Sequence, residues 1–567
     1  MSAFLTAVLY RTNIVFSDDL SFHFGRFKSV LDALHDGQIV PQLAPNAVHG
    51  FGYAIGLNYP PLGAYIFDLI YFLLRDQVLT HLAFTFLAFL LAGLFMFYFV
   101  REIASKVEGQ YVIALVSALF FMLSPYFFVC VVRRFAVGEF YAMIFAPLLL
   151  LGLYKILNGK NGVAALTIGA SGILLSHTLS IAMWGAIAVL ILLLNAKYLK
   201  KLRPWKQIFL SGLITFALTA FYTLPFLETT FSKIYMVSDT YFRTNDKQMN
   251  PSNMNGYASS FINLFHFDGT FQSPYDSQSV PRLGYIFAII LLLALFFLKN
   301  LPPKLKPFTY LLTFLSVFSI ILTTNLVNWK LLPNTFSVFQ FAYRFSSIFT
   351  VCLSAISGII LYHFVYSRLK RNCRSEHRGR AFFVILAVIL VVQATPILYQ
   401  YDHISVDKDL SRVAASVDLN SPTLADFSTA EGDVFPQRFH AVSPDNSVKQ
   451  FAEKYPSVNG LKLNDYTKDG SHFSASLSLP EGGKLVLPQF YYPGYQAVGV
   501  QNATQADLEV TQSDDGMVQI SLPAGFSGQV ESHFGMSKAT AVGFYISLLS
   551  VLLLLGYGVY LVIKKRR

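Results

Sequence analysis

VLTHLAFTFLAFLLAGLFMFYFV, residues 78–100, holds no Asp, Glu, Lys or Arg and, as a helix, is long enough to cross a hydrocarbon core about 30 Å thick. Stretches at 111–132, 208–227, 343–366 and 541–563 have the same character and approach or exceed the required length of about 20 residues. Across all 567 residues, 54% are apolar and 13% charged, roughly half the charge that a water-facing surface needs. Lipid is therefore the main solvent, and the chain crosses it several times.

The net charge of +11 does not form one basic face of the kind that binds nucleic acid. It sits in short knots between apolar stretches, at Lys197–Lys206, Lys299–Lys306, Arg368–Arg380 and Lys564–Arg567. The positive-inside rule places these knots in the cytoplasm. Threading the chain between them predicts about a dozen transmembrane helices. The first is a short span within Met1–Phe16, which carries Arg11 and lacks the small-residue cleavage site of a signal peptide. Leu62–Leu74 is too short for a full crossing and begins after Tyr59-Pro60-Pro61, so it is taken as an outer juxtamembrane or re-entrant helix. This leaves a large outer loop, 17–77.

The expected organisation is a transmembrane domain over 1–400, an extracytoplasmic domain over 401–538 (α/β, then β-sandwich), and an anchor with a basic cytoplasmic tail over 539–567. The β reading rests on alternation of apolar and polar residues at 473–479, 484–490, 508–510 and 517–522, with a hairpin turn at Asp514-Asp515-Gly516. Cys130, Cys352 and Cys373 suit neither a disulfide framework nor a metal site.

Ionisable residues gather on the predicted outer side. In Asp18-Asp19-Leu20-Ser21-Phe22-His23-Phe24-Gly25-Arg26, helical spacing sets Asp19, His23 and Arg26 on one face. An amphipathic interfacial helix with a salt-bridged face would show the same pattern, and Asp18 would then be its cap. Arg133 and Arg134 run against the charge bias, which suits either an anionic ligand held by guanidinium or snorkelling to headgroups. Glu139, His177, Glu228, Gln340 and Arg344 lie at the same side of other spans. No nucleotide loop, dinucleotide fingerprint or zinc-protease helix is present, so an enzyme here needs a donor delivered by lipid.

Asp19-Leu20-Ser21-Phe22-His23 with Arg26, Gly37, Gly50-Phe51-Gly52, Tyr59-Pro60-Pro61, Gly138-Glu139, Ser176-His177 and Gln340-Phe341 with Arg344 resemble the motifs of C-type-fold (GT-C) membrane glycosyltransferases. These include protein O-mannosyltransferases, oligosaccharyltransferases and lipid A aminoarabinose transferases. The chain is more closely similar to the bacterial 6-pyruvoyl-tetrahydropterin synthase-related membrane proteins and relatives that decorate Gram-positive envelope polymers. Leu487–Tyr495 resembles their outer domain.

The resemblance implies a polyprenyl-phosphate sugar as donor, a cell-envelope glycan, lipid or protein as acceptor, and transfer on the outer face. It maps the general base, or the residue that positions the acceptor, onto Asp19, with Asp18 as its neighbour and Glu139 as a further carboxylate. His23, Arg26, Tyr59, Arg133, Arg134, His177, Glu228, Gln340 and Arg344 are expected to bind substrate. It admits a divalent metal, for which His23, Asp18, Asp19 and Glu139 are a weak ligand set. A polytopic transporter or flippase, or a non-catalytic scaffold that binds envelope polymer, would share the hydrophobic architecture. A transporter would place its ionisable residues near the middle of the membrane.

Overall fold

The computed structural model describes residues 1–3, 5, 19–232, 251–261, 264, 283–372, 375–402 and 454–566. Asp18, Cys373, most of the first expected span and the first part of the expected extracytoplasmic domain lie outside the described residues. The principal helices are α1 Leu20–His35, α2 Leu62–Leu74, α3 Gln77–Ile103, α4 Gln110–Met122, α5 Val137–Leu157, α6 Val163–Leu174, α7 Thr178–Leu194 and α8 Leu202–Ser232, then α9 Tyr285–Phe297, α10 Lys306–Thr323, α11 Ser346–Leu361, α12 Ser375–Asp402 and α13 Lys538–Arg566.

The protein is a polytopic α-helical membrane protein with a C-terminal β-sheet domain. Six described helices are long and apolar enough to cross a bilayer, or seven if one bent pair counts as a span. The expectation of a dozen exceeds this count, and part of the difference lies in helix length. Val163–Leu174, Thr178–Leu194 and Tyr285–Asn300 are apolar but run only 10–17 residues. At 1.5 Å per residue they fall short of, or barely reach, the thickness of the hydrocarbon core. The expected span at 111–132 is broken, because Pro125 removes a backbone donor and disfavours helix at Ser124. The halves Gln110–Met122 and Pro125–Arg133 meet at 46°.

Two compact units divide the chain. One is Met1–Leu20, Leu69–Thr215 and Asn245–Val413; the other is Ser21–Asp68, Phe216–Thr244 and Ala414–Arg567. In the first, small residues bring helices together without a hydrophobic drive from water. A Cβ on Gly152 or Gly169 would collide with the backbone of the facing helix, at Leu166 and Leu149 respectively. Between α4 and α11, the Ser117 hydroxyl donates to the Ala355 carbonyl at 2.9 Å and accepts from the Gly358 amide at 3.2 Å. A Cβ on Gly358 would run into the Ile113 carbonyl.

Among the described residues, the second unit contains ten strands: β1 Ser457–Val458, β2 Leu461–Lys462, β3 Thr467–Asp469, β4 His472–Leu479, β5 Gly483–Phe490, β6 Tyr495–Gln501, β7 Thr504–Leu508, β8 Val510–Gln512, β9 Met517–Leu522 and β10 Phe526–Phe534. They form two five-stranded sheets, β2-β1-β5-β9-β8 and β3-β4-β10-β6-β7, and every pair is antiparallel. Leu485, Leu487, Val518 and Ile520 of one sheet share a buried core with Phe473, Ala475, Ala497 and Val530 of the other. The Asp514-Asp515-Gly516 turn joins β8 to β9, with Gly516 at φ +78°.

That core also takes in Leu43, Ala47, Phe51, Tyr53 and Leu57, from a segment some 400 residues earlier in the chain. The Phe490 amide donates to the Phe51 carbonyl at 2.8 Å. Asp36 accepts from the Ser471 amide at 2.8 Å, from its hydroxyl at 2.7 Å and from the Gln38 side chain at 3.1 Å.

Two substitutions test these joints. Gly358→Val should destabilise the protein by an overpacking cost of about 1–3 kcal/mol and so lower its thermal midpoint, whereas Gly556→Val, where nothing lies within 4 Å, should leave it unchanged. Asp36→Ala strands the Ser471 donors and should cost about 1–3 kcal/mol, read from the same melting measurement on purified protein.

Candidate functional site

The break at Ser124-Pro125 sets up the first cluster. After the short helical turn Pro125–Phe128, the chain forms a π-turn over Val129–Arg133. The Arg134 amide donates to the Val129 carbonyl and the Ala136 amide to that of Cys130, both at 2.8 Å. Phe135 follows at φ +51°, unusual for a bulky residue. Ala136, at φ −74° and ψ 71°, makes an inverse γ-turn closed from Val137 to Phe135 at 2.8 Å. π-bulges and positive-φ residues of this kind recur at functional sites. The result folds Arg134 back toward the first turn of α5, where Glu139 lies.

Glu139 is 3% exposed and ringed by donors. One oxygen accepts from the Tyr126 hydroxyl. The other accepts from Arg134 Nη1 at 3.0 Å and lies 3.9 Å from Arg344 Nε. His177 lies near the same carboxylate, and its Nδ1 lies 2.9 Å from the Ser180 hydroxyl. Arg134 also reaches Cys130 Sγ at 3.8 Å and packs 5.2 Å from the centre of the Tyr343 ring.

The far side of Arg134 holds Asp19. Its carboxylate is 3.8 Å from Arg134 Nη2 and its side chain is 40% exposed, against 3% for that of Glu139. The Asp19 amide donates to the Arg134 carbonyl at 2.9 Å, so backbone and side chain hold the two residues together. One buried guanidinium therefore links a sealed carboxylate to an accessible one.

Arg344 is fixed by a strained turn. Gln340 has φ 62° and ψ −50°, the conformation of a positive-φ γ-turn, and the Phe341 amide closes it onto the Phe339 carbonyl at 2.6 Å. Arg344 Nη1 then donates to Gln340 Oε1 at 2.6 Å and to the Phe339 carbonyl at 3.0 Å. Arg133, on the same π-turn as its neighbour, is half-buried.

The expected face of Asp19, His23 and Arg26 divides. α1 begins at Leu20, so Asp19 precedes the helix instead of lying on its first turn, and it belongs with Arg134 in the first unit. His23 and Arg26 lie in the second, joined at 3.2 Å between Arg26 Nη1 and His23 Nδ1. Arg26 is buried, donates to the Pro60 carbonyl at 2.9 Å and stacks 3.6 Å from the centre of the Tyr59 ring. Those contacts clamp α1 to the Tyr59-Pro60-Pro61 corner. Glu228, also in the second unit, accepts from the Ser537 hydroxyl at 2.7 Å.

Among the described residues, no group of three or more His, Cys, Asp and Glu side chains could hold a metal ion. Of the expected ligand set, Glu139 is occupied by Tyr126 and Arg134, and His23 belongs to the Arg26 cluster. These described residues do not fit a metal site. Tyr126, Cys130 and Tyr343 are partners that reading the sequence missed. The Ser124-Pro125 break inside an apolar run was the available signal.

No family model matches the chain. An uncharacterized protein of Lactococcus lactis subsp. cremoris (strain MG1363) is 29% identical over 97% of this chain and 92% of its own length. Among solved structures, the chain is similar to ArnT from Cupriavidus metallidurans bound to undecaprenyl phosphate, with TM-score 0.41, 11% identity and coverage of 93% of this chain and 98% of that one. It is also similar to the arabinofuranosyltransferase AftD from Mycobacteria, with TM-score 0.41 and 14% identity. That match covers 94% of this chain but spans only 40% of AftD.

If Glu139 exists to neutralise Arg134, Glu139→Gln leaves a buried cation underpaired and should destabilise the protein by about 3–5 kcal/mol. Adding Arg134→Gln should restore part of that loss in a double-mutant cycle of thermal melts. Strict additivity would show that the two are not coupled.

Proposed function

We propose that the protein is a C-type-fold membrane glycosyltransferase that moves a sugar from a polyprenyl-phosphate donor to a cell-envelope polymer, lipid or protein on the outer face of the membrane. The observation that carries this reading is the Arg134 guanidinium shared by Asp19 and Glu139. A base for an incoming hydroxyl must be reachable and held in place, and Asp19, 40% exposed and 3.8 Å from Arg134 Nη2, meets both conditions. Glu139 is enclosed and committed to its donors, so it acts as a positioning residue and not as the base.

In the reaction, Asp19 takes the proton of the acceptor hydroxyl as that oxygen forms a bond to the anomeric carbon of the sugar. The bond from that carbon to the phosphate oxygen breaks, and its electron pair leaves with the polyprenyl phosphate. Arg344 and Arg133 offset the charge that develops there. The outer-face assignment is supported by the basic knots, which the positive-inside rule puts in the cytoplasm. On this reading the β-domain is extracytoplasmic and both termini are cytoplasmic.

The test supplies purified protein with undecaprenyl-phosphate monosaccharides and cell-wall glycan, and follows release of undecaprenyl phosphate. Asp19→Asn should reduce turnover by about 10²–10⁴-fold, with a much smaller change in donor binding. Asp19→Glu should retain part of the activity. Equal turnover by wild type and Asp19→Asn would remove Asp19 as the base.

A further inference from the structure

A second charged cluster in the first unit has no part in the proposed chemistry. It lies where α3 ends, where α5 ends and before α10 begins. Glu102, in the last turn of α3, accepts from Lys160 Nζ at 2.6 Å, and Lys155 and Arg101 are close enough to act on the same carboxylate. Lys304 donates to the backbone carbonyl of Ser105 and approaches its hydroxyl at 3.2 Å. Burial, followed by the like charges of Lys160 and Lys106, holds the Lys304 ammonium below the ordinary lysine range. Lys106 itself sits at φ +66° in the α3–α4 loop.

The charges do not balance. Glu102 and Glu108 are the only acidic residues in segments 101–110, 155–162, 196–207, 298–307 and 366–372. Each is already matched by a lysine, Glu102 by Lys160 and Glu108 by Lys370 at 3.3 Å. Lys304 thus lies close enough to feel Lys160, Lys106 and Glu102, so three ammonium groups from three loops and one carboxylate meet at the ends of membrane-crossing helices. Their mutual repulsion falls when an anion joins them, and at the ends of membrane-crossing helices lipid phosphates supply one.

We propose that Lys106, Lys160 and Lys304 form a binding site for the phosphodiester headgroup of an anionic phospholipid. The three flexible amines surround a phosphate oxygen cluster as point charges, and the adjoining helix ends receive the acyl chains. A zwitterionic headgroup brings its own ammonium group into the cluster and gains less. Glu102 competes with the phosphate for Lys160 and so weakens the site.

The test is native mass spectrometry of the purified full chain titrated with phosphatidylglycerol or phosphatidylcholine. Wild type should retain phosphatidylglycerol preferentially, and K106Q/K160Q/K304Q should lose that preference by about tenfold or more. K462Q, on β2, should leave it unchanged. E102Q should raise phosphatidylglycerol retention, a change of opposite sign that impaired folding would not produce. In a parallel arm, inorganic phosphate at millimolar concentration should not displace the lipid; displacement would make this a free-anion site and overturn the proposal. Equal retention of the two lipids by wild type, or unchanged retention by the triple variant, would also overturn it.

Discussion

A guanidinium removed from water must be met by carboxylate and hydrogen-bond acceptors, because leaving it unpaired costs several kcal/mol. Arg134 meets that demand through Glu139, and much of the surrounding backbone is arranged to let it. The π-turn at Val129–Arg133, the positive φ of Phe135 and the inverse γ-turn at Ala136 together bring a residue at the end of one broken span beside the first turn of the next. None of these conformations is favourable alone. They persist because the ion pair and the aromatic packing around it over-determine the local structure. Asp19 is then held at an accessible edge of a charged centre, as its proposed role as base requires.

The same principle of distant residues meeting a local demand organises the other unit. A small β-sandwich has limited apolar surface to bury, and this one fills its core partly with Leu43, Ala47, Phe51, Tyr53 and Leu57 from the early loop. Asp36 satisfies the amide and hydroxyl of Ser471, and Arg26 fastens α1 to the Tyr59-Pro60-Pro61 corner by stacking and a carbonyl bond. The early loop is thereby a structural part of the β-domain. His23 and Arg26 read as ligands in the sequence because their types and spacing are those of ligands, but their contacts serve packing as well.

Local pattern carried a good deal. Apolar length identified the membrane class, since no soluble helix needs a run such as 78–100 without a charge. Alternation located β4, β5 and β9 nearly to the residue. It failed for β10, which sits at the centre of its sheet between β4 and β6. Phe526, Val530 and Phe534 alternate there with Gly528 and Ser532, and the weaker contrast hides the inward face. Helix count was less legible, because apolar runs of 10–17 residues have the composition of spans without their length.

By itself, then, the amino-acid order determined what each segment is made for: which runs enter lipid, which form strands, and which ionisable residues stand at the ends of spans. Those properties depend on neighbours a few residues apart. Tertiary structure alone decided the company each ionisable residue keeps. It placed Asp19 and Glu139 on one arginine, sealed one carboxylate and left the other accessible, and gave Arg26 to Tyr59. Burial and pairing depend on how the chain folds back on itself, over five residues between Arg134 and Glu139 and over more than a hundred between Asp19 and Arg134, and residue types and spacing alone do not name the partner.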